Sequence, residues 1–259
     1  MKRSFKALFI FTLVLAGAAL AAQDLQVYYF PRPPLYTKNA DGSVGGFMSE
    51  IAKLVLAEAK VPYKWVEMPS ARVEPSLKNK DFATGLGWFK NPSREEWANF
   101  SEPLYQELPL VAVVVKAKAA ALGSDATIDK LLGSGLTLGT IQGFSYGAFA
   151  DQAIARLKPK TEAIVGEQTT LVQMVAKGRA DLLLLGLEEA GYLLENDKSS
   201  AGALQIVKIS DAPAGNSRYF MFSKAVDKSI LDRVNAALAK IKATDNYRKL
   251  TDFSRYLKK

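Results

Sequence analysis

One arginine in the middle of the chain is set among aromatic residues in a pattern that suits the capture of a small carboxylate. Gly87, Trp88 and Phe89 close a strand-like run, Pro92 marks a turn, and Arg94 is the cation of that turn. A guanidinium is a planar fork that binds a carboxylate through two parallel hydrogen bonds, which lysine cannot do. The same residues allow a plainer interpretation, in which the aromatic side chains belong to the core and the arginine is a solvated turn residue.

The residue inventory excludes several kinds of catalysis. The 259-residue chain has no histidine and no cysteine. Histidine-based triads, histidine zinc sites, thiol chemistry and a disulfide framework are therefore excluded. We expect no metal site, no cofactor and no catalytic residue, and we predict that the protein is not an enzyme.

The positive charge of the chain is spread along its length. The formal net charge is +8, and three of the cations lie in the N-terminal segment, at Lys2, Arg3 and Lys6. No nucleic-acid-binding motif accompanies the remaining cations. The charge therefore indicates a solvated surface, and we expect no nucleic-acid partner.

Residues 1–22 have the three parts of a secretory signal peptide. The positive start is followed by an apolar segment, residues 7–15, and by the small-x-small sequence Ala19-Leu20-Ala21. This pattern predicts cleavage and release to the periplasm. An uncleaved anchor helix is the alternative.

β-rich runs alternate with helix-period segments along the rest of the chain, which predicts α/β architecture. The predicted strands are residues 25–30, 63–66, 83–88, 110–115, 136–141, 162–165, 181–185 and 219–222. The predicted helices include residues 72–77, 146–157, 169–176, 188–196 and 230–241. We expect residues 23–108 with 218–259 to form lobe 1 and residues 109–217 to form lobe 2. The strand at 110–115 is expected to cross between the lobes, leaving a cleft where α/β proteins bind ligands.

Several short motifs follow one another along the chain. They are Pro33-Pro34-Leu35-Tyr36, Asp41-Gly42-Ser43-Val44-Gly45-Gly46-Phe47, Asn91-Pro92-Ser93-Arg94-Glu95-Glu96, Phe100-Ser101-Glu102-Pro103-Leu104-Tyr105, Leu138-Gly139-Thr140-Ile141-Gln142-Gly143, Gly178-Arg179-Ala180-Asp181 and Val234-Asn235-Ala236-Ala237-Leu238. Their order and spacing resemble those of the family 3 extracellular solute-binding proteins, the amino-acid-binding type that serves ABC importers. The resemblance covers essentially the whole chain after the signal peptide.

The resemblance implies a two-lobed periplasmic-binding-protein fold of type II, the Venus flytrap, with two hinge crossings. It also implies that a ligand binds one lobe, that the other lobe closes over it, and that the closed form docks on a membrane permease. We therefore expect a periplasmic monomer that captures a small polar solute, an amino acid or a related carboxylate. Two alternatives remain, a dehydratase-like enzyme of the same fold and a soluble ligand-sensing partner of a receptor. For the enzyme, Glu67, Glu188 and Glu189 could supply an acid and a base.

The resemblance also implies which residues contact the ligand carboxylate. Arg94 stands where the family's arginine binds this group, and an ion pair with Glu95 or Glu96 is the alternative. In lobe 2, the turn 143–146 stands where the family binds the same carboxylate. Ser145 is the main candidate there, as a ligand contact, a helix N-cap or both, because a helix N-terminus offers free N–H groups. Its neighbours are candidates as well: Phe144 and Tyr146.

Three departures from the family pattern concern the rest of the ligand. Small hydroxyl residues that receive an ammonium group are replaced by Gly87, Trp88 and Phe89, whose aromatic rings favour stacking or cation–π contact. The family's acidic residue is replaced by Gly186, for which Glu188 could substitute unless it only favours the helix start. The aromatic that covers the ligand is replaced by Ser70, and three residues could supply a lid instead: Tyr29, Arg32 and Tyr36.

Overall fold

The computed structural model describes residues 23–123 and 126–257. The predicted signal peptide, residues 1–22, lies outside this part of the chain. The strands are β1 (Leu25–Tyr29), β2 (Thr37–Lys38), β3 (Val44–Gly45), β4 (Tyr63–Glu67), β5 (Ala83–Trp88), β6 (Ala98–Phe100), β7 (Tyr105–Gln106), β8 (Leu110–Val115), β9 (Leu138–Ile141), β10 (Thr161–Ile164), β11 (Leu182–Gly186), β12 (Leu204–Lys208) and β13 (Ser217–Ser223). The helices are α1 (Phe47–Glu58), α2 (Ser70–Lys78), α3 (Pro92–Glu95), α4 (Lys116–Ala119), α5 (Ile128–Leu132), α6 (Ala148–Leu157), α7 (Gln168–Ala176), α8 (Leu187–Asn196), α9 (Lys198–Ala201), α10 (Lys228–Lys242), α11 (Asp245–Leu250) and α12 (Ser254–Leu257).

Two separate sheets form the centres of two lobes. The first sheet has the order β4-β1-β5-β13-β6, and β7 also pairs with β13. In it, β1 runs parallel to β4 and β5, whereas β13 runs antiparallel to β5 and β6. The second sheet has the order β10-β9-β11-β8-β12, with β8 antiparallel to both of its neighbours. We call the elements on the first sheet lobe 1 and those on the second sheet lobe 2.

The chain passes between the lobes twice. Residues 107–109 link β7 to β8, and residues 209–216 link β12 back to β13. Strand β8 itself lies wholly in the second sheet, so the prediction that residues 110–115 cross between the lobes is wrong. The β-branched run is buried because β8 is an inner strand with a partner on each side.

Each lobe has its own core. In lobe 1, α1 begins after Gly46 and places apolar residues three and four positions apart on one face, among them Ile51 and Val55, both fully buried. In lobe 2, the strands β8 and β11 supply apolar side chains to both faces of their sheet. Among the described residues, no helix is both long and apolar enough to span a bilayer.

The C-terminal residues contact both lobes. The ring of Phe253 lies 4.9 Å from that of Phe47 in lobe 1. Tyr256 is buried against α8 of lobe 2, where its hydroxyl donates to Glu195 at 2.8 Å. The predicted division of the chain at residues 108 and 217 stays a prediction, but the C-terminal segment does not belong to lobe 1 alone.

Candidate ligand-binding site

Arg94 is positioned by the short helix α3. Asn91 caps this helix, accepting a hydrogen bond from the backbone N–H of Arg94 at 2.9 Å. Pro92 takes the first helical position, where its missing N–H leaves no bond unmade. The guanidinium of Arg94 turns into the protein, and its Cζ lies 4.7 Å from the centre of the Trp88 ring. The plainer interpretation of Arg94 as a solvated turn residue is therefore wrong.

Arg94 is paired with a glutamate on another helix. Its Nε and Nη2 donate to Oε1 of Glu74, on α2, at 3.0 and 2.7 Å. Its Nη1 donates to the carbonyl oxygen of Phe89 at 2.8 Å. The predicted alternative, an ion pair with one of the two glutamates that follow Arg94, is wrong. The pairing fixes the guanidinium plane against the end of β5.

The backbone of Gly87 binds a second guanidinium group near that of Arg94. Its φ is +74°, and a Cβ there would lie only 1.8 Å from the hydroxyl oxygen of Tyr36. Glycine is thus required both by the backbone and by its neighbour. The carbonyl oxygen of Gly87 accepts a hydrogen bond from Nη1 of Arg218 at 2.7 Å. The adjacent carbonyl, that of Leu86, accepts one from Tyr36 at 2.9 Å.

Arg218 is a site residue that the sequence analysis missed. It lies on β13, pairs with Glu107 through Nε and Nη2, and places its Cζ 4.5 Å from the centre of the Phe89 ring. Arg218 and Glu107 are only 4% and 7% exposed. A signal was present in the sequence, because strand alternation places Arg218 on the same face as the core residues Phe220 and Phe222. A charge on a buried face needs a partner.

Lobe 2 faces these arginines with the turn that follows β9. Helix α6 begins at Ala148 and is preceded by Gly147. The predicted helix start at residue 146, and the predicted N-cap role of Ser145, are therefore wrong. The hydroxyl of Ser145 donates to Asp151 at 2.5 Å and accepts from the N–H of Gly147 at 3.2 Å. The hydroxyl hydrogen of Ser145 is therefore bonded to another residue of lobe 2.

Arg32 and Phe30 connect lobe 1 to lobe 2. Nε and Nη2 of Arg32 donate to the two carboxylate oxygens of Glu189, on α8, at 2.7 and 2.9 Å. The Cζ of Arg32 lies 5.0 Å from the centre of the Phe144 ring, which is 5.7 Å from that of Phe30. Burial alone would lower the pKa of Arg32, but the Glu189 carboxylate beside it raises that pKa, so Arg32 stays charged.

A small cavity lies between the lobes at this point, and we call it the inner cavity. Its lining residues are Phe30, Arg32, Leu86, Gly87, Trp88, Phe89, Arg94, Gly143, Phe144, Ser145 and Arg218. The structure thus brings together most of the predicted site residues, from both lobes. Three guanidinium groups reach the wall, and no carboxylate does. Such a wall offers hydrogen-bond donors and apolar surface to a ligand.

A larger opening of about 1150 Å³, the outer cavity, lies beside it and is also lined by residues of both lobes. Ser70 lies on its wall, at the start of α2. Three other predicted residues line neither cavity: Tyr29, Tyr36 and Tyr146. Tyr36 is buried and bonded to Leu86, so it is not the predicted lid. Tyr29 is buried beside Trp65, and the hydroxyl of Tyr146 accepts from the backbone N–H of Ile141 at 3.0 Å.

Glu188 also lies away from the inner cavity. Its carboxyl accepts hydrogen bonds from the Tyr105 hydroxyl and from the backbone N–H of Leu108, both at 3.1 Å. Burial, together with the nearby charge of Glu107, raises the pKa of Glu188 to about 8. Its surroundings therefore disfavour the anionic form of this group. In residues 23–123 and 126–257, no cluster of acidic side chains is arranged to hold a metal ion.

The model of the family described as bacterial extracellular solute-binding proteins, family 3, matches residues 26–254. The chain belongs to this family. A curated relative of this family 3 protein is the L-arginine-binding protein of Pseudomonas aeruginosa. The two are 25% identical over 227 residues, which are 85% of this chain and 83% of the relative.

Solved structures agree with the family assignment at the level of the fold. An ancestral arginine-binding protein bound to arginine superimposes with a TM-score of 0.73 and 19% identity, over 90% of this chain and 97% of its own. An arginine-, lysine-, histidine-binding protein from Geobacillus stearothermophilus gives a TM-score of 0.73 and 17% identity, over 92% and 96%. An ancestral amino acid-binding protein described as a precursor of cyclohexadienyl dehydratase gives 0.69 and 22%, over 90% and 94%. The predicted two-lobed periplasmic-binding-protein fold is confirmed.

Proposed function

We propose that this family 3 protein is the substrate-binding component of an ABC importer, and that it captures a small carboxylate-bearing solute by closing its two lobes. In this proposal the protein acts in the periplasm as a monomer and delivers the closed, loaded form to a membrane permease. The inner cavity is the binding site.

The observation that carries the proposal is the composition of the inner cavity. Arg94 and Trp88 of lobe 1 face Phe144 and Ser145 of lobe 2 across this cavity. A ligand there would touch both lobes at once, so it would favour the closed arrangement over an open one. Closure by hinge rotation is a known consequence of such contacts.

The side chains around the inner cavity favour ligand binding without catalysis. Of the three carboxylates that could act as acid or base, Glu67 lies on the outer cavity and pairs with Lys38. The other two, Glu188 and Glu189, are bonded to the hinge region and to Arg32. General acid–base chemistry needs such a group within hydrogen-bond reach of the substrate. None of the three lines the inner cavity.

A thermal-shift screen of amino acids, amines and small organic acids tests the proposal. A ligand at a hundred times its dissociation constant adds about 2.7 kcal/mol to the free energy of unfolding. The best ligand should then bind about ten- to a hundredfold more weakly to the variant Arg94→Gln/Glu74→Gln, because a hydrogen bond to a charged group contributes about 1.5 to 3 kcal/mol. Changing both partners avoids leaving Glu74, which is partly buried, without its ion-pair partner.

A matched control removes an ion pair of equal charge from the surface. Lys228 and Asp232 pair at 2.8 Å on the exposed face of α10. The variant Lys228→Gln/Asp232→Asn should bind the ligand as the native protein does. Equal binding by the Arg94 variant would show that Arg94 does not hold the carboxylate. A screen without any saturable ligand would contradict the binding function itself.

A further inference from the structure

The walls of the inner cavity carry many hydrogen-bond donors. Arg32, Arg94 and Arg218 are each bound on one edge by a glutamate that does not line the cavity. A guanidinium has five N–H donors and no acceptor. Arg94 and Arg218 each donate to the protein through Nε, Nη1 and Nη2, with one N–H from each nitrogen. Arg32 donates through Nε and Nη2 only, and its Nη1 has no protein acceptor among the described residues. Unused donors of all three residues therefore belong to the cavity wall.

The acceptors of the same wall are already engaged. The carbonyl oxygens of Leu86, Gly87 and Phe89 accept hydrogen bonds from Tyr36, Arg218 and Arg94. A carbonyl can accept a second bond, but at Gly87 and Phe89 the first donor is a cation. An ammonium group brought to either oxygen would lie beside a guanidinium, and like charges at such a distance repel.

The glutamates that pair with the arginines do not cancel the positive charge on the cavity wall. Glu74, Glu107 and Glu189 do not line the cavity, whereas the arginines that they bind do, so the positive member of each ion pair is the one on the wall. Two further carboxyls lie nearby, and neither lines the cavity: Glu188 is bonded to Tyr105 and Leu108, and Asp151 is bonded to Ser145 and Tyr146. The cavity therefore presents positive charge and donors to its occupant.

We propose that the ligand of this site is a small dicarboxylate without an ammonium group, a proposal that rests on the inner cavity being the solute site proposed above. Its carboxylates bind the guanidinium groups, and its carbon chain lies against the aromatic rings of Trp88, Phe89 and Phe144. The donors belong to three different guanidinium groups, so two anionic ends use them better than one. Amino acids, the ligands for which the relatives are named, are thereby disfavoured.

Matched ligand pairs that differ only in the ammonium group test this proposal. We would titrate the native protein by calorimetry with succinate and L-aspartate, and with glutarate and L-glutamate. At least one dicarboxylate should bind at least tenfold more tightly than its amino-acid counterpart, a difference of about 1.4 kcal/mol. Equal or tighter binding of the amino acids, or tight binding of L-arginine, would overturn the ligand class but leave the importer function standing. Failure of every dicarboxylate to bind at millimolar concentration would also overturn it.

A variant tests whether the arginines set this preference. Arg218→Gln/Glu107→Gln removes a guanidinium from the carbonyl of Gly87 without leaving an unpaired charge. We expect the ratio of the Kd for aspartate to that for succinate to fall at least fivefold, whereas a merely structural role would weaken both ligands alike. Arg156→Gln/Asp129→Asn, which removes an exposed pair elsewhere in lobe 2, should leave the ratio unchanged. If the Arg218 variant does not fold, the titrations of the native protein still decide.

Discussion

The three arginines of the inner cavity share one arrangement, in which a glutamate fixes one edge and leaves the other edge to the cavity. Arg94 and Arg218 also stack on aromatic rings, those of Trp88 and Phe89. Each guanidinium is therefore held in plane before any ligand arrives, which lowers the entropy lost on binding. This arrangement depends on the unusual backbone of Gly87, because its carbonyl oxygen binds Arg218.

The substitution Gly87→Ala tests that dependence. Alanine at φ +74° costs about 1 to 2 kcal/mol, and its Cβ must also displace the Tyr36 hydroxyl. We expect urea denaturation to show a loss of about 2 to 4 kcal/mol in the free energy of unfolding. Gly42, with φ +81° and no atom within 4 Å of a built Cβ, is the matched control. Gly42→Ala should lose only the backbone contribution, and an equal loss at both positions would contradict the role given to Tyr36.

At the scale of elements, much of the site is assembled from segments at the ends of β1 and β5 in the first sheet and of β9 in the second. Phe30 and Arg32 follow β1, Trp88 and the Arg94 turn close β5, and the 143–145 turn follows β9. The sequence predicted these strands because their apolar runs are bounded by Pro and Gly turns. It did not predict the two- and three-residue strands β2, β3, β6 and β7, since such short elements show no periodicity and exist only through pairing. Strand β12 was missed as well.

The contact between Arg32 and α8 predicts a change in the ligand-free protein. An unpaired buried charge costs about 3 to 5 kcal/mol, and opening of the lobes would return Glu189 to water. We therefore expect Arg32→Gln to be more open than the native protein, and Arg32→Gln/Glu189→Gln to be intermediate. Small-angle X-ray scattering measures this as the radius of gyration. Identical radii for all three proteins would show that this ion pair does not hold the lobes together.

At the scale of the whole molecule, the family and the fold could be predicted from the sequence, but the contacts between the lobes could not. The family resemblance rests on motifs spread from Pro33 to Leu238. Their order is kept although several residues of the site differ from the family pattern. Arg32 and Glu189, in contrast, are 157 positions apart, and Arg218 and Gly87 are 131 apart. The first pairing depends on how the two lobes meet, and the second depends on the return of β13 to the first sheet beside β5. The sequence predicted that Arg32 belongs to a lid, but it did not predict the ion pair with Glu189. Glu188, predicted as a ligand contact, is instead bonded to the segment that links β7 to β8.

The placement of the ligand is the central claim, and a crystal structure of the protein with the best ligand of the screen tests it most directly. We predict a carboxylate of the ligand within about 2.7 to 3.2 Å of a guanidinium nitrogen of Arg94, with further contacts to Phe144 or Ser145 of lobe 2. A ligand bound in the outer cavity, or to one lobe only, would contradict this account.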